Sequence, residues 1–166
     1  MDRLERLLAI AHQYDIVVFF SKLRDNLLAC WVPSMRRIFV EVRLTDDEQH
    51  YHLAHELSHV HLGHPCCTHP TTPQELDRER QADRLAARML IDSPTYARHE
   101  AINPDQHHLA DELRVPVKLI RIYEEDLLTK VRGVTYAEAR EGVGQWTHRH
   151  IQSAAEEILQ LRVGVA

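Results

Sequence analysis

This chain of 166 residues has few cysteines and no excess of positive charge. Its three cysteines are too few for a disulfide framework, and adjacent cysteines such as Cys66 and Cys67 rarely bridge each other. Reduced thiols in the cytoplasm are therefore expected. The formal net charge of −5 argues against tight, sequence-independent binding to nucleic acid, because such binding needs many contacts from Lys and Arg to phosphates.

The sequence also lacks long apolar runs, low-complexity segments and internal repeats. The apolar residues 16–20 are too few to span a membrane, and an N-terminus carrying Asp2 and Glu5 does not fit a secretory signal. A hydrophobic content of 44% is nevertheless enough to bury a core. These properties indicate a cytoplasmic globular protein of one domain with a helical extension.

The most informative stretch is residues 55–59, which read His-Glu-Leu-Ser-His. Residues four apart lie on one face of a helix, so His55 and His59 can bind one Zn²⁺ ion. Glu56 beside them can then act as general base on a metal-activated water, which implies hydrolysis of an amide bond. Because the chain has 13 histidines, such a string can arise by chance, and its surroundings must support the interpretation.

The residues around this motif predict that it lies in the middle of a helix. Residues 45–48, Thr-Asp-Asp-Glu, form a capping box that starts a helix. Gly63 ends the helix and Pro65 follows just beyond it. The apolar residues between these signals follow helical spacing and are Leu53, Ala54, Leu57 and Val60.

A second predicted helix supplies a third candidate ligand. Residues 72–75, Thr-Pro-Gln-Glu, form another capping box, and Glu79 and Asp83 lie one turn apart behind it. Glu79 can ligate the metal, which leaves a fourth position open for water. Asp83 can accept the other ring N–H of a ligating histidine, and His55 is the expected partner. Glu75, one turn before Glu79, remains the alternative third ligand.

These residues resemble the motifs of the ImmA/IrrE metallopeptidases. Residues 54–59 read A-H-E-L-S-H and residues 79–90 read E-R-Q-A-D-R-L-A-A-R-M-L, where the family typically has A-H-E-L-G-H and E-x-x-A-(N/D)-x-F-A-A-x-L-L-M-P. Ser58 stands where glycine is usual, Leu85 stands where phenylalanine is usual, and two extra residues precede Pro94. The resemblance is strongest over residues 45–95.

The resemblance implies a zincin-like fold and a gluzincin-type ligand set of His55, His59 and Glu79. It also implies selective proteolysis in the cytosol, often of a helix-turn-helix (XRE-like) repressor in phages and mobile elements, or a stress-response role. The expected partner is therefore such a protein substrate, and the expected cofactor is one zinc ion.

The predicted architecture is an α+β, mostly helical domain with a small sheet. A helix is predicted over residues 3–13, followed by β-rich segments that form an antiparallel sheet on the motif helix. These β-rich segments are residues 16–20, 27–32 and 37–43. The last of them is the candidate edge strand for pairing with an extended substrate, with packing within the sheet as the alternative role.

Two regions follow from this layout: a zincin-like core over residues 1–95 and a helical C-terminal region over residues 96–166, packed on the core as one domain. Ser93-Pro94 and residues 103–106 both indicate helix starts. Residues 109–121 resemble a helix-turn-helix half that carries Lys118 and Arg121. Direct contact with nucleic acid is not expected, because the acidic residues 124–126 follow at once and would repel phosphate.

A third capping box at residues 135–138 and apolar spacing over residues 151–159 predict a terminal helix. His52 lies one turn before His55 and is interpreted as a solvated residue or one that supports the ligands. Residues 64–69 either hold a second zinc ion or form a loop at the rim of the cleft. The oxyanion donor is not assigned by spacing, and its candidates are Tyr96, Tyr123, His107 and His108.

Two functions remain to be compared: a metalloendopeptidase, and a non-catalytic DNA-associated transcriptional regulator in which zinc is structural. Glu56 discriminates between them, since a structural site has no use for a general base and normally closes its fourth position, preferably with Cys. The enzyme is therefore favoured.

Overall fold

The computed structural model describes residues 2–24, 26–65 and 70–132, and the chain divides into two compact units, Met1–Leu90 and Ile91–Ala166. The first unit contains a three-stranded sheet and both motif-bearing helices. Its elements in chain order are α1 (Arg3–Gln13), β1 (Val17–Ser21), β2 (Ala29–Val32), a 3₁₀ turn (Pro33–Met35), β3 (Arg37–Glu41), α2 (Asp46–His61) and α3 (Pro73–Leu90).

The sheet has the order β1-β3-β2, with β3 parallel to β1 and antiparallel to β2. The α+β, mostly helical class with a small sheet is confirmed, but the sheet is mixed and the expectation of an antiparallel sheet holds for β2 and β3 only. The chain reverses its direction between β1 and β2, and the turn over residues 33–36 reverses it again. The strand β3 therefore runs in the direction of β1 and inserts between its two predecessors.

The prediction that residues 37–43 form an edge strand is wrong. The strand β3 pairs on both sides, with Val18 opposite Ile38 on one side and Trp31 opposite Ile38 on the other. Its backbone groups are consequently used within the sheet. Alternating polarity could not reveal this, because the alternation reports burial of the two faces and says nothing about which edges are paired. The edge strands are β1 and β2.

The second unit contains α4 (Ser93–Ile102), α5 (Gln106–Leu113) and α6 (Val117–Arg132) among its described residues. Helix α4 starts after Asp92, whose side chain accepts from the Thr95 N–H, and α5 starts after Asp105. The predicted helix-turn-helix path over residues 109–121 is confirmed, with Arg114 in the left-handed region ending α5.

One acidic residue after this segment has a different role from the one predicted. Glu124 is buried, and its carboxylate accepts from the Tyr96 hydroxyl at 2.9 Å and from Gln106 Nε2 at 2.6 Å. Of the three acidic residues 124–126, Glu125 and Asp126 therefore remain available to repel phosphate.

The terminal helix predicted over residues 151–159 and the capping box at residues 135–138 lie outside the described residues, as do residues 66–69. Across the described ranges, the chain has no helix that is both long enough and apolar enough to cross a membrane.

Candidate metal centre

Helix α2 presents the H-E-x-x-H motif from its C-terminal half. Its start is fixed by the predicted capping box: the Thr45 hydroxyl accepts from the Glu48 N–H, and the Glu48 carboxylate accepts from the Thr45 N–H at 2.9 Å. Leu53, Ala54 and Leu57 are fully buried, which turns the opposite face of the helix toward the site. This local pattern places His55 and His59 one turn apart on the same side.

Ser58, which replaces the usual glycine of the motif, fits without an unpaired polar atom. Its side chain is fully buried, and its hydroxyl donates to the Ala54 carbonyl oxygen at 2.7 Å. Such a bond to the residue one turn earlier satisfies a serine within a helix.

Helix α3 packs against α2 and carries Glu79 and Asp83 toward it. Its capping box also forms, with the Thr72 N–H donating to Glu75 and the Glu75 N–H donating to Thr72. Ala82, between the two acidic residues, is fully buried, and its small side chain allows the helices to approach closely.

His55, His59 and Glu79 converge on one point. The His55 Nε2 atom lies 3.1 Å from Glu79 Oε2, the His59 Nε2 atom lies 3.4 Å from Glu79 Oε1, and the two Nε2 atoms lie 3.0 Å apart. Donor atoms about 2.0–2.1 Å from a tetrahedral zinc ion lie about 3.3 Å from one another. The three side chains therefore could form a metal site, with two imidazoles and one carboxylate as donors.

Asp83 lies behind His55, away from the point where the donors converge. Its Oδ1 atom accepts from His55 Nδ1 at 3.0 Å and from the Tyr51 hydroxyl at 3.0 Å. A proton on His55 Nδ1 leaves the Nε2 lone pair free to face the metal. The carboxylate thus fixes the ring orientation and the tautomer, and Tyr51 in turn holds the carboxylate.

Replacing Asp83 with alanine is expected to weaken zinc binding by about 10- to 100-fold, because the His55 ring loses the partner that fixes it. The matched control is Asp77→Asn, an exposed acidic residue earlier on the same helix. Zinc affinity measured by competition with a chromophoric chelator tests this. An Asp83→Ala protein with wild-type affinity and turnover would contradict the role.

Glu56 lies next to the three donors without joining them. Its Oε2 atom accepts from the Trp31 backbone N–H at 2.9 Å, which ties the carboxylate to strand β2. Burial raises the pKa of Glu56, while the His55 charge and the Trp31 N–H act in the opposite direction. The strand thereby holds a carboxylate beside the site.

The electrostatics of the cluster favour a positive charge at its centre. Burial alone would lower the pKa of His55, but its bonds with Asp83 and Glu79 outweigh this and raise the pKa to about 9. Burial and the neighbouring His55 lower the pKa of His59 to about 4. The bond with His55 lowers the pKa of Glu79, which keeps this carboxylate charged. These shifts favour one positive charge among the three side chains and oppose a second, which suits a single cation in place of the proton on His55.

The alternative third ligand is occupied elsewhere. The Glu75 carboxylate accepts from the backbone N–H groups of Thr72 and Thr71, both at 2.9 Å, and these bonds lower its pKa to about 2. Glu75 therefore stabilises the start of α3, and within the described ranges the donor cluster includes Glu79 instead.

The other candidates do not join the donor cluster. The His52 ring lies against the Tyr51 ring, with their centres 4.8 Å apart. The Tyr96 hydroxyl bonds to Glu124, and the Tyr123 hydroxyl bonds to Ser93 at 2.7 Å. The backbone N–H groups of residues 107 and 108 donate to Asp105 at the start of α5. None of these contacts assigns an oxyanion donor.

Sequence reasoning missed three contacts: those of the Tyr51 hydroxyl, of the Trp31 N–H, and of the His64 Nδ1 atom, which lies 3.1 Å from His59 Nδ1. A signal existed for two of them, since Tyr51 lies one turn before His55 and His64 directly follows the glycine that ends α2. The Trp31 contact has no signal in the sequence, because it joins residues that are 25 positions apart.

A family model for peptidase M78, described as the IrrE N-terminal-like domain, matches residues 11–122. The matched range is more than half of the chain and includes both motif helices with all five predicted site residues. The resemblance to the ImmA/IrrE metallopeptidases is thereby confirmed. No curated protein and no solved structure matches the chain.

Proposed function

This chain belongs to the peptidase M78 family and is a metallopeptidase-like protein, and we propose that it is a zinc-dependent endopeptidase. The observation that carries the proposal is the position of Glu56, a half-buried carboxylate held by the Trp31 N–H beside a donor set of two imidazoles and one carboxylate. A structural zinc site would have no use for this carboxylate, whereas a hydrolase needs a base at that place.

A zinc ion held by His55, His59 and Glu79 would supply a Lewis acid that activates water and polarises a carbonyl group. Glu56 takes a proton from the attacking water on its carboxylate and delivers it to the leaving amine. The Trp31 N–H holds the carboxylate in place, and burial raises the pKa of Glu56, which makes this carboxylate a stronger base. Asp83 keeps the His55 ring in the tautomer that a metal requires.

The substrate's main chain lies along the outer edge of β2, which replaces β3 as the candidate edge strand. Leu28 uses its carbonyl oxygen to pair with β3, and backbone groups alternate between the two sides of a strand. Ala29 and Trp31 consequently direct their backbone groups to the outer side, where the Trp31 N–H meets Glu56. Because the Trp31 N–H is taken by Glu56, an extended peptide pairs there with the Trp31 carbonyl oxygen and the backbone of Ala29, which brings its scissile bond next to the base.

A cleft of about 600 Å³ adjoins this edge and receives an apolar side chain of the substrate. Its wall is largely apolar, with Ile16, Trp31 and Val60 among the lining residues. Two lining residues contact the site directly, since the Trp31 N–H bonds to Glu56 and the His64 ring contacts His59.

The proposed substrate is a helix-turn-helix repressor of a phage or mobile element, or a stress-response regulator, in the cytosol. This part of the proposal is supported by membership of the family. It also agrees with a strand edge of only four residues, Ala29–Val32, which offers little main chain for gripping unfolded protein in general.

Purified zinc-loaded protein is expected to cut a helix-turn-helix repressor from its own source, tested with any such repressor that a neighbouring gene encodes, at one peptide bond, and to leave casein largely intact. Mass spectrometry of the products with both substrates tests this expectation. The chelated protein is the control, and it should cut neither substrate. If casein is digested as readily as the repressor, the proposal of a selective protease fails.

A further inference from the structure

The end of helix α2 places one residue directly over a proposed metal ligand. Gly63 follows the helix with φ = +66°, its N–H donates to the Val60 carbonyl oxygen at 3.1 Å, and the His64 N–H donates to the His59 carbonyl oxygen at 2.9 Å. These two bonds with a left-handed glycine define a Schellman motif. In this motif the residue after the glycine returns over the residue five positions earlier, so His64 lies against His59.

The side chains of these two residues meet through specific atoms. The His64 Nδ1 atom lies 3.1 Å from His59 Nδ1, and the ring centres are 5.2 Å apart at an angle of 61°. One nitrogen must donate the hydrogen bond and the other must accept it, because two lone pairs or two N–H groups would repel each other.

The other side of the His59 ring decides which nitrogen donates. Its Nε2 atom faces His55 Nε2 at 3.0 Å and Glu79 Oε1 at 3.4 Å, so Nε2 is the metal donor. A histidine that uses Nε2 for a metal carries its proton on Nδ1. His59 is therefore the donor to His64, and His64 accepts as a neutral ring protonated on Nε2. His64 lies across the ring from the donor cluster and is not a ligand.

We propose that His64 is a positioning residue that fixes the orientation and tautomer of the ligand His59. The inference rests on the metal site of the proposed function. The two ligand histidines then donate to different kinds of acceptor. His55 donates to the carboxylate of Asp83, whereas His59 donates to a neutral imidazole from the turn that ends its own helix.

A carboxylate could not replace this imidazole without changing the charge of the site. The donor set already contains the negative charge of Glu79, and Asp83 adds another behind His55. A neutral acceptor on His59 fixes the ring without adding a further negative charge to those of Glu79, Asp83 and the adjacent Glu56. Loss of such a partner typically lowers metal affinity by about 10- to 100-fold.

Four variants distinguish the hydrogen bond between His59 and His64 from other effects of the His64 side chain. Asparagine at position 64 places its carbonyl oxygen the same number of bonds from Cα as Nδ1, whereas glutamine places its oxygen at the distance of Nε2. We therefore expect His64→Asn to retain zinc affinity close to wild type, and His64→Gln and His64→Ala to lose about 10- to 100-fold. The matched control is His12→Asn, an exposed histidine on α1, which should change nothing.

Zinc dissociation constants are measured by competition with a chromophoric chelator, and the visible spectrum of the Co²⁺-loaded proteins reports the coordination geometry. Thermal unfolding of the metal-free variants shows that each one folds. Wild-type affinity for His64→Ala would overturn the proposal. So would equal losses for asparagine and glutamine, because an acceptor at the Nδ1 position would then have no special effect.

Cleavage of the repressor is measured separately, so that the two proposals can fail independently. If the variants show the expected order of zinc affinity while the wild-type protein cuts no repressor, the positioning role of His64 stands and the proposed protease activity fails. If the wild-type protein cuts the repressor while His64→Ala binds zinc normally, the protease activity stands and the positioning role fails.

Discussion

Replacing Glu56 with glutamine is expected to abolish cleavage while leaving zinc binding and folding intact. Glutamine is nearly isosteric with glutamate, and its side-chain oxygen can still accept the Trp31 N–H that holds Glu56 at 2.9 Å. An amide cannot take a proton from water, however, and a positioned general base contributes about 10²- to 10⁴-fold to a rate. Initial rates of repressor cleavage, with zinc content measured on the same samples, test the expectation.

The matched control for this variant is Glu112→Gln, which makes the same chemical change at an exposed position on α5. The control should cut as fast as wild type. A Glu56→Gln protein that cuts the repressor at the wild-type rate would show that Glu56 is not the base. A Glu56→Gln protein that no longer binds zinc would assign Glu56 to the metal site instead.

Replacing His55 with alanine is expected to remove zinc binding at micromolar metal and, with it, all cleavage. The residue supplies one of three proposed protein donors, and its ring links the cluster to Asp83 at 3.0 Å. Loss of a ligand should therefore exceed the loss of about 10- to 100-fold typical of an outer partner. Metal analysis and zinc titration of the purified variant measure the effect.

Two glutamates on α3 provide a matched pair for the third ligand. Glu79→Gln should lose zinc affinity as His55→Ala does, because an amide oxygen is a weaker donor to zinc than a carboxylate. Glu75→Gln should retain it, because the Glu75 carboxylate accepts backbone N–H groups at the start of the helix. The opposite result would assign the ligand role to Glu75. Full zinc binding by His55→Ala would reject the donor set as a whole.

The sequence by itself determined the elements that depend on neighbouring residues. Each capping box joins residues three positions apart, as Thr45 and Glu48 do, so both the residue types and their geometry are visible in the chain. The spacing of His55 and His59 works in the same way, because four residues make about one helical turn. The left-handed Gly63 is also local, and it could have predicted the return of His64 over His59.

Only the tertiary structure decided the contacts that join distant parts of the chain. Because β3 pairs with both β1 and β2, β2 lies at an edge of the sheet. The sequence does not show this, since the three segments have the same kind of apolar pattern. The bond from the Trp31 N–H to Glu56 depends on that placement, and the bond from Tyr51 to Asp83 depends on how α2 and α3 pack. Strand order and helix packing are set by the burial of whole apolar faces. Many arrangements can bury the same apolar pattern, so these contacts leave no local signal in the sequence.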